Sequence, residues 1–526
     1  MKNTIRFLIG ASFLCVMAVT SLVRAESIKP KEVTVLIYYS GDNRLSDFMY
    51  SSYLRVLREG AGKDVNVVVQ YDGEKKNDSF RAAIGTELDK NNPQKHVQKI
   101  YEKGVEYDMG NTKTLADFVA WGKKNFPAKR TMLVISSHGF GILNNPYPES
   151  ENAKLANKNI DNAASSIDDT SRSFMKEQDM TAQLQKALGG QKLDLLIHNS
   201  CLMGSLESLS IMSAIAKYAI ASEYSIYMNK NDDLKDDDAH MILIEKVISQ
   251  IKQNPNVSEK EIGQKVVTDF GQHYKNFQAP TDQEVEVRFP TTLALYDLTA
   301  IKKLAQMYSD LANTLQAQAI KSNSVLMRLF DENIKARYID SFGYIDVRIL
   351  YKGMVQALYP APMSDDVMKN FDSVLAQVVP SKIEMYTSQT EPIAHLHVFF
   401  PSILDQGDLR PYYKSYSEID LVNSYGWPKF LNFVSASYQT MQKDYWVEKL
   451  KQWNGGAKII VKPTSEPDSY DYDLFLTLSM MAFRLDQEPG KAQLKSYYQL
   501  LQTLTRKSED LDKHRQEILN MLQASN

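Results

Sequence analysis

The feature of this sequence that most constrains its fold is a succession of short apolar runs separated by stretches of helical spacing. The runs are rich in aliphatic, β-branched and aromatic residues throughout, which is typical of strands buried on both faces. Between them, residues 46–57 and 115–122 are compatible with helices, and Pro127 marks the end of the second. This alternation predicts an α/β fold with a mainly parallel sheet between layers of helices. The predicted strands are residues 33–39, 65–71, 132–135, 193–197 and 218–221.

The first 25 residues have the pattern of a secretory signal peptide. Lys2 and Arg6 precede an apolar run over residues 7–23, and residues 23–25 offer a cleavage site. An uncleaved membrane anchor is the alternative, but the run is slightly short for a bilayer span. We expect an exported protein in the periplasm, at the cell surface or outside the cell, with no stable membrane span after signal removal.

The chain contains two cysteines, Cys15 and Cys201. This number excludes a disulfide-rich scaffold and a zinc site with four thiolate ligands. Cys15 lies inside the predicted signal peptide, and the residues before it do not favour a lipoprotein site. Processing therefore leaves Cys201 as a single thiol, which must be buried, pair with another chain or take part in chemistry.

The charge balance argues against a nucleic-acid partner. The 61 basic and 64 acidic residues give a formal net charge of −3, whereas a surface that binds a polyanion needs an excess of positive charge. With 43% hydrophobic residues, the chain has ample material for a folded core.

Two predicted strands end in residues that are capable of catalysis. His138 follows the strand at 132–135, and Cys201 follows the strand at 193–197. Because successive parallel strands bring their carboxyl ends to one edge of a sheet, we expect these two side chains to meet there. The imidazole could then take the thiol proton and later deliver it to a leaving amine.

The residues that follow each of these side chains favour the same chemistry. Without a Cβ, Gly139 lets its backbone N–H approach the oxygen of a tetrahedral intermediate. The segment from Leu202 onward is predicted to begin a helix, whose dipole would lower the pKa of the Cys201 thiol. The alternative is that Cys201 is a small buried hydrophobe, which is the commoner role of a lone cysteine at a strand end.

The other histidines are poorer candidates for a site. His198 is a rival partner for the thiol, but its position at the end of a buried strand favours a structural role. His395 and His397 would face one side of a strand without acidic neighbours, so a metal site is not expected there. The remaining histidines are scattered and are predicted to lie in the core or on the surface: His96, His240, His273 and His514.

The motifs around His138 and Cys201 resemble the clostripain family of cysteine peptidases, which shares a clan with caspases, legumains and gingipains. In that clan an apolar strand ends in His-Gly and a later one ends in a small residue and Cys, as residues 132–139 and 195–201 do here. The resemblance covers about residues 33–440. More specific matches are Cys201-Leu202-Met203-Gly204, Glu207 and Ala221-Ser222-Glu223, with further matches at 38–43, 67–72, 109–111, 397–401 and 426–431.

The resemblance implies a caspase-like α/β/α sandwich that hydrolyses peptide bonds in proteins or peptides. Cys201 would be the nucleophile that forms an acyl-enzyme, and His138 would be the general acid/base. The backbone N–H groups of Gly139 and Cys201 would be the oxyanion donors. No cofactor is required for this chemistry, and we expect a monomer. The alternative is a catalytically silent relative that binds peptides or surface polymers.

Substrate specificity is where this sequence departs from the family pattern. Relatives usually have an acidic residue two positions before the cysteine, in a pocket that prefers Arg or Lys before the cleaved bond. Asn199 stands there in this chain, and its amide carries no full charge. Glu223, after Ser222, could supply the charge instead, so Asn199, Ser222 and Glu223 are the predicted substrate-binding residues.

Two polar segments are candidates for regulation. Many relatives are activated by a cut between the histidine and the cysteine, and residues 144–179 are predicted to be a surface loop of that kind. Calcium dependence occurs in some relatives, and the acidic run at 232–238 could bind this ion, although acidic runs are more often simply solvated. Because the run lacks the ligand spacing of a known calcium loop, no dedicated metal site is predicted. The candidate self-cleavage sites in the loop are Lys154, Lys158, Arg172 and Lys176.

The length of 526 residues suits more than one domain. After the signal peptide (residues 1–25), we predict a caspase-like peptidase domain at 26–300. A family-specific C-terminal region packed on the core is predicted at 301–440, and an additional, mostly helical appendage at 441–526. The C-terminal part of the chain is therefore expected to be rich in helix.

Overall fold

The structure is a computed structural model that describes residues 29–86, 98–142, 165–226, 242–274, 291–335, 343–385, 393–401, 416 and 424–453. The predicted signal peptide, Lys154, Lys158 and the acidic run at 232–238 lie outside these residues. Most of the predicted appendage, from residue 454 onward, also lies outside them.

Strands and helices alternate along the first half of the chain, as predicted. The strands are β1 (Lys31–Ser40), β2 (Val65–Asp72), β3 (Ser79–Ile84), β4 (Gln98–Val105), β5 (Ala128–Ser136), β6 (Ser165–Asp168), β7 (Ser173–Met175), β8 (Leu193–Asn199), β9 (Ala216–Ala221), β10 (Thr291–Asp297), β11 (Tyr344–Asp346), β12 (Ser381–Met385) and β13 (His397–Phe399). The helices are α1 (Ser46–Glu59), α2 (Thr112–Asn125), α3 (Glu177–Leu188), α4 (Leu206–Met212), α5 (Ile244–Gln253), α6 (Glu259–Tyr274), α7 (Ile301–Ala319), α8 (Asn323–Lys335), α9 (Val347–Leu358), α10 (Met363–Val378) and α11 (Trp427–Trp453).

A nine-stranded mixed sheet forms the centre of the molecule, in the order β12-β10-β9-β8-β5-β1-β2-β3-β4. The five strands predicted from the sequence, β9, β8, β5, β1 and β2, are contiguous in this sheet and run parallel. Antiparallel strands extend both sides, with β10 and β12 at one end and β3 and β4 at the other. The predicted α/β fold with a mainly parallel central sheet is therefore confirmed.

Helices cover both faces of the sheet and bury most residues of the central strands. Along β1, Leu36 and Tyr38 point into one hydrophobic cluster while Val35 and Ile37 point into the other, as the two-residue period of a strand requires. Helices α2–α4 and α7–α11 contribute to the first cluster, and α1, α5 and α6 contribute to the second. Burial on both sides explains why the sequences of these strands are apolar without alternation.

The C-terminal part of the described chain is integrated with the sheet. Strand β12 comes from the predicted region 301–440, yet it pairs with β10 at the sheet edge. Helix α11 runs through residue 440, so the predicted boundary with the appendage falls inside a helix. In the part of the chain that the structure describes, no helix is both long enough and apolar enough to cross a bilayer.

The prediction of a surface loop over 144–179 is wrong for its second half. Residues 165–168 and 173–175 form the antiparallel pair β6 and β7, and α3 begins at Glu177. All four residues of β6 are buried. The segment contains many small and polar residues, and hydrogen bonds from neighbouring loops help to hold it, such as those from Ser40 and Asn43 to the carbonyl of Ile167. Hydrophobic patterning does not reveal such contacts.

Candidate active site

Strands β5 and β8 lie side by side in parallel and bring His138 close to Cys201. Their last paired residues are Ser136 and Asn199. His138 and Cys201 each come two residues later, so the two side chains leave the same edge of the sheet at matching positions. The structure thus places the predicted dyad where the carboxyl ends of parallel strands commonly form sites.

Gly139 packs directly against the backbone of Cys201. A Cβ on Gly139 would lie 2.1 Å from the carbonyl oxygen of Cys201 and 2.9 Å from the Cβ of Ser200. On its other side, Gly139 forms an antiparallel bridge with Ser165 of β6, and the N–H of Ser166 donates to the carbonyl of His138 at 3.3 Å. Glycine is therefore required here by space, and the His-Gly segment is held between β8 and β6.

The Cys201 side chain is half-buried and contacts the chain that follows β9. The backbone N–H of Ile226 donates to Sγ at 3.2 Å. Burial raises the pKa of the thiol, against smaller lowering effects that include the Ile226 N–H and the Arg44 charge. In this conformation the sulfur is a protonated thiol at neutral pH.

The predicted effect of a helix dipole on Cys201 is wrong. Leu202 has a left-handed backbone with φ 58°, which turns the chain sharply after the cysteine. Helix α4 begins only at Leu206, where the Ser205 side chain caps it by accepting from the N–H of Ser208. Since the dipole acts within the first turn of a helix, it does not reach Cys201.

His138 is partly buried and contacts a residue that the sequence analysis missed. Arg44, in the loop between β1 and α1, donates from Nε to the Nε2 of His138 at 3.3 Å. Burial, and secondly the positive charge of Arg44, lower the pKa of His138 to about 4. The resting pair is thus an uncharged imidazole next to an uncharged thiol. The topology could have indicated this contact, because β1 pairs with β5 in parallel and the loop after β1 therefore reaches the same edge of the sheet as His138.

We expect the substitution Arg44→Gln to raise the pKa of His138 while leaving it below the ordinary value, because burial remains. An imidazolium cannot accept the thiol proton, so the acid limb of kcat/KM should move to higher pH. The pH profile of peptide hydrolysis measures this shift, and Arg58→Gln, at an exposed position near the end of α1, is the charge-matched control. If the acid limb does not move in Arg44→Gln, the Arg44 charge does not control the protonation of a catalytic His138.

The three predicted substrate-binding residues are all buried in this conformation. Asn199 has a structural role: its Nδ2 donates to Ser136 Oγ at 3.0 Å, and its Oδ1 accepts from the N–H of Ile242 at 2.8 Å. Ser222 donates to the carbonyl of Tyr224 at 2.8 Å. Glu223 lies directly after Ser222 and has no exposed surface.

Two candidate self-cleavage sites lie in the described chain. Arg172 is exposed in the turn between β6 and β7, where its backbone is left-handed with φ 51°. Lys176 is half-buried immediately before α3. The two sites flank β7, a strand of three residues.

The rival histidines lie in the protein interior. His198 is fully buried, and neither ring nitrogen has a hydrogen-bond partner among the described residues. His395 and His397 are also buried. Burial lowers the pKa of each of the three to about 3, so all are neutral at physiological pH. The register of β5 and β8 places His138 at the position that matches Cys201, and it does so for none of these three histidines.

A thiol and an imidazole on neighbouring parallel strand ends, with a glycine packed against the backbone of the thiol residue, define a cysteine peptidase of mixed α/β fold. The family model described as the clostripain family matches residues 37–453. The chain belongs to the clostripain family.

Solved structures share the fold at low sequence identity. An inactive zymogen C11 protease from Parabacteroides distasonis is 17% identical, with a TM-score of 0.51, covering 75% of this chain and 98% of that one. A secreted C11 cysteine protease from Bacteroides thetaiotaomicron, in complex with an irreversible peptide inhibitor, is 16% identical, with a TM-score of 0.50, covering 76% and 99%. No curated protein matches the chain in sequence.

Proposed function

We propose that the protein is an exported endopeptidase in which Cys201 is the nucleophile and His138 is the general acid/base. The observation that carries the proposal is the packing of Gly139 against the Cys201 backbone at the paired ends of β5 and β8. A buried structural cysteine would not need an imidazole at the matching position of the next strand. The apolar run after Lys2 and Arg6 supports export, as does the description of the Bacteroides thetaiotaomicron protease as secreted.

The reaction begins when a substrate displaces Ile226 from the thiol. His138 takes the proton of Cys201, and the thiolate attacks the carbonyl carbon of the peptide bond. The backbone N–H groups of Gly139 and Cys201 bind the resulting oxyanion. Collapse of the intermediate breaks the C–N bond as His138 gives its proton to the leaving amine, and water then hydrolyses the thioester with His138 as base.

Substrates with Arg or Lys before the cleaved bond are the proposed class. Glu223 is the candidate counter-ion, because the chain from Ser222 to Ile226 runs beside the residues after Cys201. The N–H of Leu202 donates to the carbonyl of Tyr224 at 3.2 Å, and the N–H of Gly204 donates to the carbonyl of Ser222 at 2.7 Å. The same movement that frees Cys201 from Ile226 would uncover Glu223. Once uncovered, the carboxylate of Glu223 meets the substrate cation in a site of low dielectric.

A panel of fluorogenic peptides that differ only at this position tests activity and preference together. We expect kcat/KM for Arg and Lys peptides to exceed that for neutral peptides, and the substitution Glu223→Gln to remove the difference while activity on neutral peptides persists. Equal rates for all peptides would refute the role of Glu223. If no peptide is hydrolysed and an acyloxymethyl ketone does not label Cys201, the alternative holds, and the protein is a catalytically silent relative that binds peptides.

Self-processing between the histidine and the cysteine is part of the proposal. Arg172 lies in an exposed turn with a left-handed backbone. This position supports Arg172 as a cut site, since exposed loop tips are the preferred places for proteolytic nicking. Lys176 is half-buried next to a helix and is the less accessible of the two. Lys154 and Lys158 are proposed from the sequence only. The new N-termini in purified wild-type protein identify which bond is cut.

A further inference from the structure

Arg44 is an arginine beside the proposed dyad that forms no ion pair with the residues that the structure describes. Its side chain is exposed, and its hydrogen bond within those residues is the one from Nε to Nε2 of His138. By contrast, Arg55, Arg130 and Arg348 each form an ion pair with a glutamate or an aspartate. A guanidinium has five N–H donors, so the N–H groups on the two Nη atoms of Arg44 are free to bind a ligand.

The loop that carries Arg44 is held in place by the residue before it. Asn43 Nδ2 donates to the carbonyl of Ser40 at 3.1 Å and to that of Ile167 at 3.0 Å, and its Oδ1 accepts from the N–H of Leu45 at 2.9 Å. Asn43 and Leu45, on either side of Arg44, are both buried. The guanidinium therefore extends from a fixed support, and such preorganisation lowers the entropic cost of binding.

The positive charge of Arg44 acts on both members of the proposed dyad. Burial is the larger cause that lowers the pKa of His138, and the Arg44 charge adds to it. Burial raises the pKa of Cys201, and the Arg44 charge opposes that effect. The guanidinium is therefore close to the place where the reacting bond of a substrate must lie.

The proposed mechanism determines which side of the substrate meets Arg44. His138 gives its proton to the leaving amine, so this amine must come within hydrogen-bonding distance of the imidazole. The residue directly after the cleaved bond carries the amine. Because Arg44 contacts the same imidazole at 3.3 Å, the side chain of that substrate residue would lie within reach of the guanidinium.

We propose that Arg44 binds the side-chain carboxylate of an aspartate or glutamate directly after the cleaved bond. The inference rests on the proposed function and adds a second subsite to it, since Glu223 is the candidate counter-ion for a basic residue before that bond. A carboxylate can accept two parallel hydrogen bonds from the two Nη atoms of the planar guanidinium, while Nε keeps its bond to His138. A neutral side chain gains neither a full charge attraction nor this paired geometry.

Internally quenched peptides that differ only in the residue after the cleaved bond test the proposal. Each peptide has arginine before the bond and Asp, Glu, Asn or Gln after it, and mass spectrometry of the products confirms that the same bond is cut. We expect kcat/KM for Asp and Glu to exceed that for Asn and Gln by about tenfold, because the new pair is charge-assisted but partly exposed. Added NaCl should reduce the preference, since salt screens exposed charges.

Two variants and a matched control assign the preference to Arg44. Arg44→Gln should abolish it, whereas Arg44→Lys keeps the charge without the planar geometry and should retain part of it. Arg58→Gln, at an exposed position near the end of α1, removes one positive charge elsewhere and should keep the full preference. Measurement at a pH above the acid limb keeps His138 uncharged in every variant, so its protonation does not enter the ratio.

The outcomes separate this inference from the proposed function. Equal kcat/KM for acidic and neutral residues in the wild type, or an unchanged preference in Arg44→Gln, would overturn the inference and leave the proposed function standing, because the peptides are still cut. A preference confined to peptides that end one residue after the bond would instead assign Arg44 to a C-terminal carboxylate. If no peptide is cut, the proposed function fails, and the inference fails with it. The wild-type series and its salt dependence decide the matter even if a variant has a lowered unfolding midpoint.

Discussion

Replacement of Cys201 by alanine is expected to abolish peptide hydrolysis, lowering kcat/KM by about 10³-fold or more. Alanine offers no nucleophile, so no thioester can form. The fold should survive, because the side chain lies just beyond the end of β8 and alanine keeps its Cβ while losing the contacts of Sγ with the backbone of Ile226. Loss of activity with an unchanged unfolding midpoint would therefore show that Cys201 is needed for the reaction and not for the stability of the fold.

A serine variant, and a measurement of whether each variant chain is cut, extend this test. Cys201→Ser keeps a hydrogen-bonding atom of similar size, yet a hydroxyl is a much weaker nucleophile without an activated base, so we expect it to be nearly as inactive as alanine. Intact-mass measurement should find both variants uncut if processing is autocatalytic. Hydrolysis by Cys201→Ala at the wild-type rate would exclude Cys201 as the nucleophile.

The central sheet and the dyad were predictable because local sequence carries their signal. A strand segment buried on both faces must be mainly apolar, and residues 33–39, 65–71, 132–135 and 193–197 in β1, β2, β5 and β8 have that composition. Once the sheet was known to be parallel, the positions of His138 and Cys201 after β5 and β8 followed from topology. Their juxtaposition thus required no knowledge of side-chain packing.

The outer strands were not predicted, because edge positions relax the sequence requirement. Strand β4 carries Lys99, Glu102 and Lys103 at the end of the sheet, where one side of the strand has no partner strand in the part of the chain that the structure describes. Charged residues on an edge strand discourage pairing with other chains and also conceal the strand from a search for apolar runs. Strand β12 was missed for a related reason, since it is short and pairs with β10 at the opposite edge.

The chain after Cys201 shows where local propensity misleads. Leu202 and Met203 are good helix formers, and the segment was predicted to be helical. In the fold, Gly204 packs against Tyr296 and the backbone of Ser222 and Glu223, and Leu202 adopts a left-handed conformation. Tertiary contacts with the chain after β9 therefore override the helical propensity and delay α4 to Leu206.

Arg44 was missed because its role arises only from tertiary structure. It lies 94 residues before His138 in sequence, and the two side chains meet because β1 pairs with β5 and the loop after β1 reaches the same edge of the sheet. No local pattern around Arg44 indicates this contact.

Substitution of Gly139 by alanine is expected to cause the second large loss, about 10²-fold or more in kcat/KM, the size of effect seen when an oxyanion donor is misplaced. The added Cβ would lie 2.1 Å from the Cys201 carbonyl oxygen, which belongs to the backbone and cannot rotate away. The His-Gly segment or the end of β8 must therefore shift. Such overpacking typically costs about 1–3 kcal/mol of unfolding free energy.

Kinetics, chemical denaturation and labelling of Cys201 by an acyloxymethyl ketone measure this effect together. Gly353→Ala, in helix α9, is the matched control, because its new Cβ would meet the Cβ of Glu332 in α8 at 3.1 Å, a contact that needs a shift of only a few tenths of an ångström. We expect the control to retain activity, since alanine also favours helix by up to about 1 kcal/mol. Gly139→Ala should lose both hydrolysis and labelling, because the displaced segment holds His138 and one proposed oxyanion donor. Wild-type kinetics in Gly139→Ala would show that the close approach of the two strand ends is not needed for the reaction.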